Sequence, residues 1–143
     1  MKTSPTSLAA MLAAGNYDGY VNPNITEAWF PVNPALFTTT DLRMFDAPKE
    51  MTDEEFDAML EKEGYEDVGI EQALAFGEEN PEEQRKGVIL ARRSSWVGAG
   101  GPGFVILTEC DNKRAVCLSW DIPVEQWIQH DCRVLAAPKK PKL

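Results

Sequence analysis

Between Phe104 and Trp120 the chain reads FVILTEC, then DNK, then RAVCLSW. Two runs rich in β-branched and apolar residues, joined by so short a run of turn formers, can only lie side by side and antiparallel, because a parallel partner needs a long crossover. The same reasoning extends the sheet in both directions. VILARRSSWV from Val88 reads as a strand before the glycine-rich stretch WVGAGGPG, and CRVLAA from Cys132 as a strand after the hairpin. Short connections imply an antiparallel meander in the C-terminal part, whose apolar side must be covered by elements from upstream. The expected class is α+β, with N-terminal and central helices packed on one face of that meander.

The upstream helices carry local start and stop signals. LAAMLAAG is bracketed by Ser7, a good N-cap, and Gly15, a good stop. MTDEEFDAMLEKEG has the capping-box spacing at Thr52 and Glu55, anions at Asp53 and Glu54 where the helix dipole favours them, and Gly64 as terminator. Its Phe56, Met59, Leu60 and Glu63 share one side, and Glu54, Asp57 and Glu61 form a carboxylate ridge opposite. A further helix is expected from Gly69 to Glu79, packing through Ile70, Ala73, Leu74 and Gly77, with a short turn or helix opening at Pro81. Between the first two helices, NYDGYVNPNITEAWFPVNP mixes turn formers with aromatics and reads as irregular backbone laid on the core, and Leu36 to Phe45 reads as a strand.

At 143 residues and 43% hydrophobic content the chain suits one globular domain, expected over 1–137, followed by a flexible basic tail at 138–143, PKKPKL. No apolar run approaches a membrane span, and the opening Ala/Leu/Met run is too short for a secretory signal, so the expected location is the cytoplasm. Cys110, Cys117 and Cys132 cannot all pair within one chain, and with His130 as the only histidine no zinc-ligand spacing exists. Neither a metal nor a cofactor is expected.

Charge is the most uneven property of the sequence. Residues 46–83 hold fifteen acidic against two basic residues, whereas residues 84–143 hold ten basic against five acidic. Along the helix from Asp53 to Glu63 this leaves roughly one net negative charge per 3 Å of axis, comparable with the ~3.4 Å phosphate spacing of a DNA strand. Direct nucleic-acid binding through such a surface is excluded, and the ridge serves either as a solvated face that keeps the protein soluble or as a surface that docks a basic protein.

Three stretches, AAGNYDGYVNPNITEAWFP, ENPEEQRKGVILARRSSW and LSWD with DCRVLAA, occur in that order. The chain thereby resembles a family of small proteins of unassigned function carried by bacteriophages and integrative elements. The resemblance implies an accessory gene of a mobile element, where defence, counter-defence and host takeover are the usual roles. No catalytic residue comes with it.

The functional expectation is a non-enzymatic accessory protein that binds and inhibits a basic host nucleic-acid-binding or defence protein, with Glu54, Asp57 and Glu61 as electrostatic determinants. The tryptophans Trp29, Trp96, Trp120 and Trp127 are candidate contact anchors. An alternative is a small anionic-ligand or nucleotide binder that uses Arg92 or Arg93 with Gly98, Gly100 and Gly101, although WVGAGGPG lacks the ending of a Walker loop and leads into a strand rather than a helix. In an extended strand Arg92 and Arg93 point to opposite faces, so at most one could serve a given pocket. A small hydrolase built on Cys132 with His130, or on a carboxylate pair, is the minority reading, since there is no GxSxG motif.

Overall fold

The computed structural model describes residues 5–46, 52–93, 104–118 and 132–139. Along the chain these form α1 (Leu8–Gly15), a 3-10 turn (Pro34–Leu36), β1 (Arg43–Asp46), α2 (Asp53–Glu63), β2 (Tyr65–Asp67), α3 (Ile70–Glu79), α4 (Glu83–Lys86), β3 (Ile89–Ala91), β4 (Val105–Cys110), β5 (Lys113–Leu118) and β6 (Arg133–Pro138). The class is α+β. WVGAGGPG, with Gly98, Gly100 and Gly101, lies outside the described residues, as do Trp120, Trp127 and His130.

The local signals act as read. Ser7 Oγ accepts from Ala10 N at 3.1 Å, and Glu27 Oε1 takes Leu8 N at 3.2 Å, so two of the free amides opening α1 are satisfied. The left-handed residue that closes α1 is Asn16, at φ 51°, one residue beyond the expected Gly15. Thr52 and Glu55 form the reciprocal capping box of α2, at 3.1 and 3.4 Å, and Gly64 ends it at φ 81°. Removing the cap with Thr52→Ala is expected to lower folding stability by about 1 kcal/mol and Thr52→Ser by only a few tenths, as read from urea denaturation. The strand expected from Leu36 begins only at Arg43. Ahead of it, the Thr38 hydroxyl accepts from Thr40 N at 3.2 Å, a local bond that competes with a sheet ladder.

β3, β4 and β5 form the expected antiparallel meander, and Asp111 and Asn112, at φ 54° and 64°, make the tight turn between β4 and β5. β6 departs from the meander. The sheet order is β1-β6-β3-β4-β5, with β6 parallel to β3 and antiparallel to β1, so the sheet is mixed. β2 also pairs with β6, and Ala136 is matched both by Arg43 of β1 and by Asp67 of β2, which places those two strands on opposite sides of β6. The far edge, β5, is lined by the aromatic segment after α1: Gly19 N donates to Arg114 O at 2.8 Å, Val116 N to Tyr20 O at 2.8 Å and Asn22 N to Val116 O at 3.0 Å.

Alternation along the strands divides the core in two. Ile89, Leu107, Val116 and Leu135 point to one side, where Leu8 and Met11 of α1 and Ile70, Ala73 and Leu74 of α3 cover them. Leu90, Ile106, Cys117 and Val134 point to the other, where Phe56 and Leu60 of α2 pack with Phe45. α1 and α3 thus form the helical layer over one face, and α2 stands against the second. The three cysteines are in the thiol form, outside any disulfide: Cys117 is buried on the α2 side, Cys132 partly so, and Cys110 is exposed.

Between α1, α3 and β5 lies a buried cation. The Arg114 side chain donates to Gly15 O at 2.7 Å and Asn16 O at 3.4 Å, at the end of α1, and to Gly77 O at 2.6 Å, in the last turn of α3. The helical partner of Gly77 O would be the amide of residue 81, but Pro81 has none, so the guanidinium supplies the missing donor. Two helix C-termini facing one guanidinium also bring their negative dipole ends to a buried positive charge. The Tyr17 ring lies 4.6 Å below the guanidinium carbon and donates its hydroxyl to Leu74 O at 3.0 Å. Burial pushes the Tyr17 phenol pKa well above its ordinary range, against the opposing pull of Arg114.

Candidate functional site

Gly64 turns the chain from α2 directly into β2, whose pairing of Tyr65 with Pro138 carries the α2 C-terminus to the end of β6. β3 exits at Arg92 on the same side. These junctions enclose an open cleft of about 230 Å³ with Leu60 and Tyr65 among its walls, in which Asp57, Glu61, Glu66 and Asp67 face two cations, Arg92 and Lys139.

Arg92 is the interior member of the set. Its guanidinium stacks over the Phe56 ring at 4.9 Å, is ion-paired with Asp57, and stands 3.7 Å from Asp67 Oδ1. Its side chain is 12% exposed against 57% for Asp57, so the arginine closes the floor while the aspartate keeps a face to solvent. At the rim, Lys139 Nζ lies 3.2 Å from Glu61 Oε1, and Lys139 N donates to Gly64 O at 2.9 Å. Asp67 Oδ1 is buried without a hydrogen bond. Burial pushes the Asp67 carboxyl pKa up, Arg92 opposes the shift and Asp57 adds to it.

Two groups of residues that the sequence assigned to rival sites therefore meet. Asp57 and Glu61, one turn apart on α2, share the cleft with Arg92. Glu54 is exposed on α2 one turn before Asp57 and lies outside the cleft lining. Arg93 leaves in the other direction: its amide donates to Val68 O at 3.0 Å and its side chain to Gln72 Oε1 at 3.4 Å, on the α3 side. An anion approaching Arg92 would have to displace Asp57. Trp29, the candidate anchor within the described residues, is 39% exposed and far from α2 in sequence. Among the described residues, no three Cys, His, Asp or Glu side chains converge closely enough to hold a metal ion.

Sequence reading missed Glu66, Asp67 and Lys139. Lys139 stood in the expected tail, yet β6 runs through Pro138 and the ladder continues one residue further onto Gly64. The signal was the unbroken apolar run VLAAP leading up to it.

The other acids of the central segment are differently placed. Glu83 of α4 accepts from Arg133 at 2.8 Å and from Lys86 at 3.1 Å, bonds that hold its carboxyl pKa below the usual range, and Glu82 pairs with Arg85 at 3.5 Å. The acidic stretch thus contains an α4 part matched by cations of the chain, α3 acids of which Glu71 accepts from Asn33 N and Glu79 from the Thr39 hydroxyl, and an α2–β2 part that keeps an excess of carboxylates. Compared with known proteins, the chain matches no family model, no curated protein and no solved structure.

Proposed function

We propose that the chain is a non-enzymatic binding protein whose α2–β2 face docks a basic protein partner, and that it serves as an accessory protein of a mobile element by blocking a host nucleic-acid-binding or defence factor. The observation that carries this reading is the cleft composition, four carboxylates against two cations, with Asp57 and Glu61 turned to solvent. An incoming lysine or arginine finds acids already held in place by α2 and β2, so little ordering is required on this side. The exposed carboxylates add long-range steering that raises the association rate and is lost as salt shortens the screening length. Glu54 extends the same field beyond the cleft, and Glu54, Asp57 and Glu61 remain its determinants.

The test is capture of the partner from host lysate by the tagged protein at low and at high salt. Glu54→Lys, Glu61→Lys and Glu66→Lys are combined in one variant, leaving Asp57 to hold Arg92. Retention of a basic protein by the wild type at low salt, falling at least about tenfold in the variant and at high salt, is the expected result. A partner retained equally by both chains would sink the reading. Because exposed ion pairs contribute only about 0–1 kcal/mol each, the variant should remain folded, which circular dichroism checks.

A further inference from the structure

We propose that the outer edge of β1 takes an extended segment of a basic protein as a further strand of the sheet. The inference rests on the basic partner proposed above and adds the form in which it binds. β1 ends the sheet order, and its ladder to β6 runs without a bulge from Arg43 opposite Ala136 to Asp46 opposite Arg133. In such a ladder every second residue turns its N–H and C=O away from the partner strand. On that outer side the backbone of Arg43–Asp46 bonds to no described residue. The opposite end of the sheet is treated differently, because residues 19–22 supply the outer side of β5 with hydrogen bonds. Sheets commonly protect an edge with a proline, a bulge or a covering element, and among the described residues β1 has none of these.

An open edge admits only extended backbone, so the remaining question is which side chains come with it. Asp41 and Asp46 are exposed near the two ends of the strand, and Glu63 of α2 stands beside it, 4.0 Å from Arg43. The Arg43 guanidinium already lies over the Phe45 and Tyr65 rings, at 4.5 and 5.6 Å, so the carboxylates are in excess. A second copy pairing about a two-fold axis would bring two such sets of acids together, whereas a strand carrying lysine or arginine matches them. Leu42 and Met44 are partly buried against the α1–α3 side of the core, and apolar residues of the incoming strand would extend that side. The segment that fits is therefore one in which basic and apolar residues alternate.

The probe is a capped hexapeptide of alternating lysine and valine, titrated into the full-length protein at about 20 mM salt. Its control is the same sequence N-methylated at every residue, which keeps the charges and side chains but has no N–H to donate to a ladder. The unmodified peptide is expected to bind at least about tenfold more tightly than the control and to slow hydrogen exchange at the outward amides among residues 43–46, not in β5. Combining Asp41→Asn, Asp46→Asn and Glu63→Gln should weaken it about three- to tenfold. Equal affinity for the two peptides, or binding without protection at residues 43–46, would overturn the edge. If that equal binding disappears with Glu54→Lys, Glu61→Lys and Glu66→Lys, the acidic α2–β2 face stands without it. Protection of residues 43–46 that rises with protein concentration alone would assign the edge to a second copy, against the proposal. Binding of neither peptide also overturns it, while the α2–β2 face is judged separately by the lysate capture.

Discussion

Replacing Arg114 by methionine is expected to lower folding stability by about 3–5 kcal/mol, more than any surface substitution in the chain. Methionine fills much of the same space but donates nothing, so Gly15 O and Gly77 O lose their partners inside the protein. Each unsatisfied buried carbonyl costs about 1–3 kcal/mol, and for Gly77 the alternative donor does not exist because residue 81 is proline. Removing a buried guanidinium also relieves its desolvation, which is why the expected loss stays below the sum of the bonds. Arg114→Lys keeps the charge but loses the fork that spans two helices, so about half of the effect should remain. Urea denaturation followed by circular dichroism measures both. A loss below about 1 kcal/mol for the methionine variant would mean that guanidinium desolvation cancels the carbonyl bonds.

The second large effect comes from adding a single carbon. Gly77→Ala should gain up to about 1 kcal/mol in helix propensity, yet a net loss of about 2–3 kcal/mol is expected. A Cβ at position 77 would stand 2.2 Å from the Tyr17 hydroxyl oxygen, and the ring has no retreat, because a Cβ position at Gly15 lies 2.2 Å from its Cε2. The tyrosine is held between two helices at a spacing only glycine permits. Tyr17→Phe removes the atom in closest conflict, and the next nearest, Cζ, is 3.0 Å away. Gly77→Ala should therefore cost at least about 1 kcal/mol less when combined with Tyr17→Phe than in the wild type, a coupling that a double-mutant cycle resolves. Additive losses would show that the two positions do not press on each other.

What could be read from the sequence was whatever neighbouring residues decide among themselves. The capping box of α2, the glycine stop at Gly64 and the Asp111–Asn112 turn are contained within a few residues each, and all three act as read. The place of β6 was not legible, since the apolar run VLAA is compatible with any open sheet edge, and its parallel partner β3 ends more than forty residues earlier. The same limit applied to the site. Asp57, Glu61 and Arg92 were identifiable as charges, but whether Arg92 answered a ligand or Asp57 depended on how α2 and β3 were brought together. Arg114 gave no local sign at all: it sits inside the strand run RAVCLSW, and its meaning comes from Pro81 and from two helix ends remote in sequence.

The central position of β6 also sets the order of assembly. The β4–β5 hairpin can close within microseconds of its synthesis, whereas β1, β2 and β3 must wait for residues 133–138 before any of them meets β6. At ordinary translation rates of about 5–20 residues per second, β1 waits roughly 5–20 seconds with an open edge, long enough to meet the equivalent edge of another nascent chain. The acids concentrated between β1 and β3 lie within that waiting stretch. Before they form any cleft, they repel neighbouring chains at the stage when unpaired strands are most prone to associate.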